Sequence, residues 1–536
     1  MKYAFPSRRA AVMSKGGMVA SSQYLATQAG VSILQKGGNA IDAAVATAAA
    51  LNVVEPMMTG LGGDLFALVF LRKDGKVKAL NASGRSLYAA SLEKMRELGF
   101  SKMPETGIHT VTIPGTLDGW CTLLDSCGTM SLDQVLSPAI ALAEDGYPVT
   151  ETIAHWWQVS QPKLEKDAAA AQNYLPGGGA PEAGEVFIQP DLAETFKKIA
   201  REGRDVFYRG EIAEAIVACS QQHGGLIAMK DLNDHTSEWV TPISANYRGY
   251  DVFECPPNGQ GLVTLLALNM LEGYDLKSME HNSPEYLHLL IEALKLAFAD
   301  ADRYVADPDF VDIPLKQLLA KEYSDSRRSL IDKDRAAQKL EAGVPGGKGD
   351  TVYLAATDRD GNSISLINSL YQGFGSGVVV KGTGICLQNR GALFSLEKDH
   401  PNVIVPHKRP YHTIIPAMVL RDGRLFLTFG VMGGFMQPQG QVQVLLNIID
   451  FGMGVQTALD APRVRYIQAN NECAFEPGIP DRTLQSLAGK GHQVTRLDDP
   501  YSQQFGGGQI IMVRSGSGAL IAGSDPRKDG CAMGTW

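Results

Sequence analysis

The sequence lacks the features that would place it in a membrane, on nucleic acid or in an oxidising compartment. Its seven cysteines are odd in number and scattered over 536 residues without a CxxC pair, so neither a disulfide framework nor a zinc ribbon is predicted. The 49 Lys and Arg residues are outnumbered by 58 Asp and Glu residues. The resulting net charge of −9 argues against a general nucleic-acid role, which usually needs a basic face. No apolar run approaches the roughly 18 residues of a membrane-spanning helix.

The amino-terminal stretch MKYAFPSRRAAVMSKGG has no apolar segment of the roughly 7 to 15 residues found in an export signal. Together with the pattern of unpaired cysteines, this predicts reduced thiols and a cytoplasmic protein.

Motifs for a nucleotide or a metal ion are also missing. The segment 373–377 is rich in glycine but matches neither GxGxxG nor a P-loop, and no HExxH or GxSxG is present. His400, His407 and His412 lie near one another in the sequence without metal-ligand spacing. We therefore expect no cofactor and no metal.

What the sequence does contain is a mixture of helical and strand patterns that changes near residue 350, and the predicted strands cluster after residue 351. Helical periodicity dominates before it, with one helix over 40–52 that Asn39 can cap and a long one that begins at Ser283 and Pro284. A polar, glycine-rich stretch occupies 341–350. The other predicted elements are hairpins at 65–71 with 76–81, 351–357 with 362–368 and 416–420 with 425–429, and a helix over 441–451.

Thr351 stands where the glycine-rich stretch meets a predicted strand. A threonine hydroxyl is a poor nucleophile and needs a base within hydrogen-bond reach. If the backbone is cut between Asp350 and Thr351, the new α-amine, with an ordinary pKa of about 7.7–8.0, can accept the hydroxyl proton. Taken alone the pattern is weak, because threonine is common at the start of strands for its β-propensity.

Two further segments can be interpreted either as catalytic or as purely structural. Gly433 and Gly434 lie between a predicted strand and a helix, where their N–H groups could stabilise an oxyanion or simply form a turn. Arg85, after another strand, could bind a substrate carboxylate through two hydrogen bonds or pair with a surface Asp or Glu.

A resemblance to the γ-glutamyltransferase family joins these segments. The segments 37–45, Glu55-Pro56, 59–64, 111–116 and 292–307 are similar to that family's motifs. The likeness continues in the same order through Asp350-Thr351, 358–362, Pro416 and Gly433-Gly434, so that it covers nearly the whole chain.

The resemblance implies an α+β fold, the αββα four-layer sandwich of N-terminal-nucleophile (Ntn) hydrolases. It also implies self-cleavage into a large subunit, 1–350, and a small subunit, 351–536, intertwined in a single domain, with two processed heterodimers pairing as a further possibility. Thr351 matches the nucleophile, Gly433 and Gly434 the oxyanion hole, and Arg85 the arginine that binds the donor's α-carboxylate. Ser369 falls where the family has a threonine that assists the nucleophile, and its hydroxyl could bond the Thr351 amine.

The departures from the family pattern point to a different substrate. Leu393 stands where γ-glutamyl enzymes have an acid for the donor's ammonium group, and burying that ammonium unpaired would cost several kcal/mol. His412 and Thr413 replace a pair of serines, Tyr371 replaces an asparagine, and Arg390 adds positive charge. These residues favour a carboxylate without an amino group, as in the branch that holds oxamate amidohydrolases, cephalosporin-type acylases and glutathione-hydrolase-like proteins.

The resulting hypothesis is an amidohydrolase for a small carboxylate-bearing amide, with oxamate favoured. Transfer or hydrolysis of γ-glutamyl amides and cephalosporin-type acylase activity remain alternatives within the family. A non-catalytic relative that serves as a binding protein is the alternative from another class, and the retention of Thr351, Gly433 and Gly434 argues against it.

Overall fold

The computed structural model describes residues 9–338, 350–499 and 502–536, with the backbone alone at Asp350. The glycine-rich stretch at 341–349 and the first eight residues of the amino-terminal stretch lie outside the described residues. No helix in the described ranges is both long enough and apolar enough to cross a membrane.

Two seven-stranded antiparallel sheets form the centre of the molecule. With strands numbered along the chain, the first sheet has the spatial order β1 (Val12–Ser14), β20 (Leu520–Ser524), β19 (Gly507–Val513), β15 (Arg424–Met432), β14 (Ala417–Arg421), β9 (Tyr250–Glu254) and β8 (Ile243–Tyr247). The second has the order β21 (Cys531–Thr535), β2 (Gly17–Ser21), β10 (Asp350–Asp358), β11 (Ser363–Tyr371), β3 (Asp64–Leu71), β4 (Lys76–Ala82) and β7 (Glu238–Val240).

Short strands form three smaller sheets: β5 (Tyr147–Pro148) with β6 (Val186–Phe187), β12 (Val379–Val380) with β13 (Ile385–Cys386), and β16 (Val464–Ile467) with β17 (Glu472–Phe475) and β18 (Gln493–Arg496).

The helices are α1 (Tyr24–Gln35), α2 (Ala40–Val54), α3 (Leu92–Glu97), α4 (Thr116–Cys127), α5 (Leu132–Asp145), α6 (Glu151–Leu164), α7 (Ala168–Tyr174), α8 (Pro190–Glu202), α9 (Asp205–Tyr208), α10 (Glu211–Gln222), α11 (Met229–Asn233), α12 (Gly261–Leu271), α13 (Pro284–Tyr304), α14 (Leu315–Leu318), α15 (Lys321–Arg328), α16 (Met436–Ile449), α17 (Val455–Asp460) and α18 (Asp481–Gly489).

Alternation along the strands builds four layers, since successive side chains point to opposite faces of a sheet. In β10, Tyr353 and Ala355 belong to the core between the two sheets, whereas Val352 and Leu354 pack with α1 and α2 on the outer face. In β14 the same alternation places Met418 between the sheets and Val419 against α12 and α13. The αββα sandwich that the resemblance implies is therefore confirmed.

The sequence patterns placed most of the elements that they predicted to within a few residues, and two points differ. Strands do not cluster after residue 351, because each sheet interleaves strands from before and after residue 350. The helix expected at 441–451 begins at Met436, five residues earlier, since Pro438 falls in its first turn, where a missing N–H costs no hydrogen bond. Gly433 and Gly434 consequently lie directly before a helix.

Candidate functional site

Thr351 is buried at the start of β10 and faces hydroxyl and amide groups from two other elements. Its Oγ1 lies 3.2 Å from Ser369 Oγ on the paired strand β11 and 3.5 Å from Gln437 Nε2 in the first turn of α16. The pairing of β10 with β11 shifts register between Asp350 and Val352, beside the threonine. The structure thus brings the predicted nucleophile and the predicted assisting residue together, through the hydroxyl of Thr351.

Ser369 connects the threonine to a guanidinium group. Its Oγ accepts hydrogen bonds from the backbone N–H of Tyr371 at 2.9 Å and from Nη2 of Arg390 at 3.1 Å. A hydroxyl that accepts two hydrogen bonds is fixed in orientation but keeps its own proton to donate. Arg390 can therefore influence the Thr351 hydroxyl through a single intervening side chain.

Arg390 contributes a buried positive charge to this group of residues. It begins a 3₁₀ turn, Arg390–Leu393, is fully buried, and donates from Nη1 to Thr413 Oγ1 at 2.8 Å. Its guanidinium carbon lies 4.7 Å from the ring centroid of Tyr371, which allows a cation–π contact. Within the described ranges, its Nε has no hydrogen-bond partner and the guanidinium forms no ion pair.

Burial lowers the pKa of Arg390 to about 10, and the negative charge of Asp64 opposes that shift. The group is therefore still a cation at neutral pH. A buried cation without a paired anion is costly, so this site favours a negatively charged ligand.

His412 and Asp64 form a fully buried pair beside Arg390, with His412 Nε2 3.0 Å from Asp64 Oδ2. Burial, assisted by the charge of Arg390, lowers the pKa of His412 to about 4, so the imidazole is neutral at pH 7. Burial alone would raise the pKa of Asp64, but the hydrogen bond from His412, with help from the charge of Arg390, holds that pKa below its usual range.

Both nitrogens of His412 are already in use. Since Asp64 is ionised, Nε2 carries the proton that it donates, and Nδ1 accepts from the backbone N–H of Ile414 at 3.3 Å. His412 was predicted to bind substrate, and the structure instead gives it the contacts of a residue that orients Asp64. Thr413 was also predicted to bind substrate, and its Oγ1 accepts a hydrogen bond from Arg390.

Gly433 and Gly434 form the turn between β15 and α16, as expected for an oxyanion site. Both have positive φ, 121° and 60°, a region that favours glycine, and a Cβ on Gly433 would come within 3.0 Å of Gly506 Cα. Their carbonyls accept from the N–H groups of Met436 and Gln437. Among the described residues, neither glycine N–H donates a hydrogen bond, so both stay available at the start of a helix.

Arg85 is not joined to this group. Its guanidinium makes ion pairs with Glu238 at 3.0 Å, Asp309 at 3.1 Å and the fully buried Asp307 at 3.3 Å. With three carboxylates bound, it has little capacity left for a substrate carboxylate, and Arg390 is the arginine that contacts Ser369 beside Thr351. Spacing in the sequence could not show this, because the partners of Arg85 lie 153 to 224 residues away.

Tyr371 and Leu393 line the neighbourhood of Arg390. Tyr371 is buried with φ of 82°, and burial raises its pKa to about 12, so the phenol is neutral near pH 7. Leu393 is buried in the apolar cluster beneath the helix layer of the first sheet. Neither side chain can neutralise an ammonium group.

Three polar residues of this site carried no role in the sequence analysis. Asp64 stands inside one of the family-like motifs, and Gln437 follows the glycine pair by three residues, so the sequence held a positional hint for each. Gln260 had no such signal. Its Nε2 donates to the carbonyls of Thr413 at 2.7 Å and Gly434 at 2.9 Å. Gln260 therefore fixes the turn at Gly433 and Gly434 relative to Thr413, which contacts Arg390.

One cluster elsewhere has the composition of a metal site. Potential ligand atoms of His288, Glu292 and His492, all buried, lie within 4.8 Å of one another. The two imidazoles are hydrogen-bonded at 2.8 Å, and the ammonium group of Lys295 lies 2.9 Å from the Glu292 carboxylate. That neighbouring positive charge opposes cation binding, and these contacts account for the cluster as a hydrogen-bonded core network.

Comparisons with known proteins agree with this geometry. Residues 26–535 match the family model described as Gamma-glutamyltranspeptidase. The glutathione hydrolase-like YwrD proenzyme of Bacillus subtilis is 42% identical, over 96% of this chain and 98% of its own length. The oxamate amidohydrolase proenzyme of Klebsiella pneumoniae is 36% identical, over 97% and 99%. A crystal structure of cephalosporin acylase from Bacillus halodurans superposes with a TM-score of 0.94 at 44% identity, over 100% and 98%.

Proposed function

The chain belongs to the gamma-glutamyltranspeptidase family and is an amidohydrolase of the Ntn-hydrolase kind, and we propose that it cleaves itself between Asp350 and Thr351 and then hydrolyses the amide of a small carboxylate. The relatives named as proenzymes support the processing step. Cleavage gives Thr351 a free α-amine, which takes the hydroxyl proton as Oγ1 attacks the substrate carbonyl.

The chemical steps follow from the groups around Thr351. Attack forms a tetrahedral intermediate whose oxyanion is held by the N–H groups of Gly433 and Gly434. The amine of Thr351 returns its proton to the leaving nitrogen, and the acyl group stays on Oγ1 as an ester. Water, deprotonated by the same amine, then releases the carboxylic acid.

The observation that carries the substrate proposal is the buried Arg390 without an anionic partner, one hydroxyl group away from Thr351. A carboxylate bound there is close to the scissile carbonyl, as in oxamate, where the two are directly bonded. Oxamate and water would give oxalate and ammonia.

Two other substrate classes are supported by particular observations. The likeness to a cephalosporin acylase structure over the whole chain favours an acylase acting on a carboxylate-bearing acyl group. The glutathione hydrolase-like relative favours γ-glutamyl amides, but Leu393 and the neutral Tyr371 offer no partner for the α-ammonium group of that donor. A cytoplasmic location belongs to the same proposal, supported by seven unpaired thiols.

An ammonia- and amine-release screen over oxamate, glutaryl amides, glutamine and γ-glutamyl-p-nitroanilide tests the proposal. Oxamate should be hydrolysed best, and Arg390→Met should lower kcat/KM for it by roughly 10- to 100-fold, the size of one charge-assisted hydrogen bond. Arg390→Lys keeps the charge but loses the planar arrangement of N–H donors, so its kcat/KM for oxamate should lie between those of Arg390→Met and wild type. Efficient γ-glutamyl turnover with no oxamate hydrolysis would disprove the substrate assignment.

A further inference from the structure

A second buried arginine near the site also lacks an anionic partner. Arg465 lies on β16, is 7% exposed, and donates from Nη1 to the carbonyl of Gln504 at 3.2 Å. In the described chain its Nε has no hydrogen-bond partner and its guanidinium forms no ion pair.

Arg463, directly before β16, shows that the missing ion pair is not a general property of the region. Arg463, two residues before Arg465 and 1% exposed, is paired with Asp525 at 2.6 Å and donates to the carbonyl of Phe505 at 2.8 Å. The fold therefore supplies a carboxylate to Arg463 and, among the residues that the structure describes, none to Arg465. Because leaving a buried cation uncompensated is costly, an anionic ligand for Arg465 would remove the imbalance.

Hydrogen bonds of Arg465 and its neighbour Tyr466 place Arg465 beside the turn at Gly433 and Gly434. Its acceptor, Gln504, precedes Gly506 by two residues, and Gly506 Cα is the atom that a Cβ on Gly433 would approach to 3.0 Å. On the other side, Tyr466 N donates to Gln439 Oε1 at 2.7 Å, which ties β16 to the first turns of α16. Arg465 thus lies next to the segment that follows Gly433 and Gly434.

Tyr371 is near both arginines. The Arg390 guanidinium lies over its ring, and the positive charges of Arg390 and Arg465 both lower the pKa of the phenol, against the larger effect of burial. Burial lowers the pKa of Arg465 to about 10, so it is charged at neutral pH. Of the acidic groups near this region, Asp64 is bound to His412 and Gln388, and Glu105 raises the pKa of Tyr371 without pairing with either arginine in the described ranges.

We propose that Arg465 binds a second carboxylate of the substrate, carried by the leaving amine, so that the preferred substrate is an N-acyl amino acid type of amide rather than a primary amide. This inference rests on the proposed function. Since Arg390 takes the carboxylate of a short oxalyl group, that acyl group has no second charge to offer, and the anion for Arg465 must lie on the amine. Hydrolysis adds the OH of water to the acyl carbon and its proton to the nitrogen, giving oxalate and an amino acid.

The test compares three amides that share the oxalyl group: N-oxalylglycine, N-propyloxamate and oxamate. Wild-type kcat/KM for N-oxalylglycine should exceed that for N-propyloxamate, whose amine side carries no charge, by about tenfold or more, the effect of one charge-assisted contact. Arg465→Met should remove that preference and change oxamate turnover by less than about threefold. Arg465→Lys should restore part of it, and Arg201→Met, which removes an exposed arginine, should leave the preference intact.

The outcomes separate this inference from the proposed function. No hydrolysis of any oxalyl amide would overturn the proposed function itself. Hydrolysis of oxamate by the wild type, with equal kcat/KM for N-oxalylglycine and N-propyloxamate, would overturn the role of Arg465 alone. This comparison needs no variant, so it tests the role of Arg465 even if Arg465→Met fails to fold. A similar loss for all three substrates in a folded Arg465→Met protein would likewise show a structural rather than a specificity role.

Discussion

The hydroxyl of Ser369 accepts a hydrogen bond from Arg390 and lies 3.2 Å from the hydroxyl of Thr351. This places one side chain between the nucleophile and the cation that is expected to bind substrate. The proposed nucleophile and the proposed substrate-binding cation therefore both contact Ser369 on β11.

Replacing Ser369 by Ala should lower kcat/KM by on the order of 10- to 100-fold, because the nucleophile loses an oriented neighbour and Arg390 loses an acceptor. Self-cleavage should slow as well. Rates of substrate hydrolysis and the cleaved fraction over time are the measurements. Ser365→Ala is the matched control, since Ser365 bonds to Tyr353 and to the Ala417 N–H from the same strand. It should cost about 1 kcal/mol of stability with little loss of activity. Equal activity losses in both variants would contradict the role of Ser369.

Thr351→Ala should give a folded, uncut and inactive chain, because no hydroxyl remains to attack the peptide bond before it. Intact mass distinguishes one 57.6 kDa chain from two fragments that join at 350/351. Thr351→Ser should still be cut, more slowly, since it keeps the hydroxyl. Normal cleavage of the alanine variant would mean that the nucleophile is another residue.

Arg85→Met should act mainly on stability. It leaves the fully buried Asp307 without its ion pair, which typically costs about 3 kcal/mol. Denaturant unfolding measures this loss, while KM for the carboxylate amide should change little below the melting range. A large rise in KM with unchanged stability would instead show that Arg85 binds the substrate.

His412→Gln should flatten the dependence of stability on pH. The pKa of His412 falls from about 6.5 in the unfolded chain to about 4 in the native state, so the unfolded chain binds more protons between these values. The neutral, buried His412 therefore contributes a free energy of unfolding on the order of 3 kcal/mol above pH 6.5, and this contribution is lost as the pH falls toward 4. Glutamine does not titrate but can still donate to Asp64.

Free energies of unfolding at several pH values between 4 and 7 check this prediction. Other histidines with lowered pKa, the buried His235 and His492 and the half-buried His281, stay in both proteins. The difference in slope between the variant and wild type should therefore correspond to about one proton. Identical slopes would show that His412 is charged in the native state or titrates normally.

Several elements of the fold could be predicted because their signals are local. Asn39 caps α2 and forms a capping box with Asp42, and the turn at Asp358–Asn362 closes with Gly361 at positive φ. Such features depend on residues within about four positions of one another. Thr351 and the Gly433–Gly434 turn were likewise found from their immediate neighbours and from the family likeness.

The sequence by itself determined which groups are candidates for the chemistry: a threonine after a glycine-rich stretch and a glycine pair before a helix. It also determined that position 393 holds a leucine and no acid. Only the tertiary structure decided which arginines carry uncompensated charge. Arg85 meets three carboxylates and Arg463 meets Asp525, whereas Arg390 and Arg465 meet none among the described residues. The physical reason is that the electrostatic balance of a buried cation depends on groups brought together from distant parts of the chain, a relationship that spacing along the sequence does not contain.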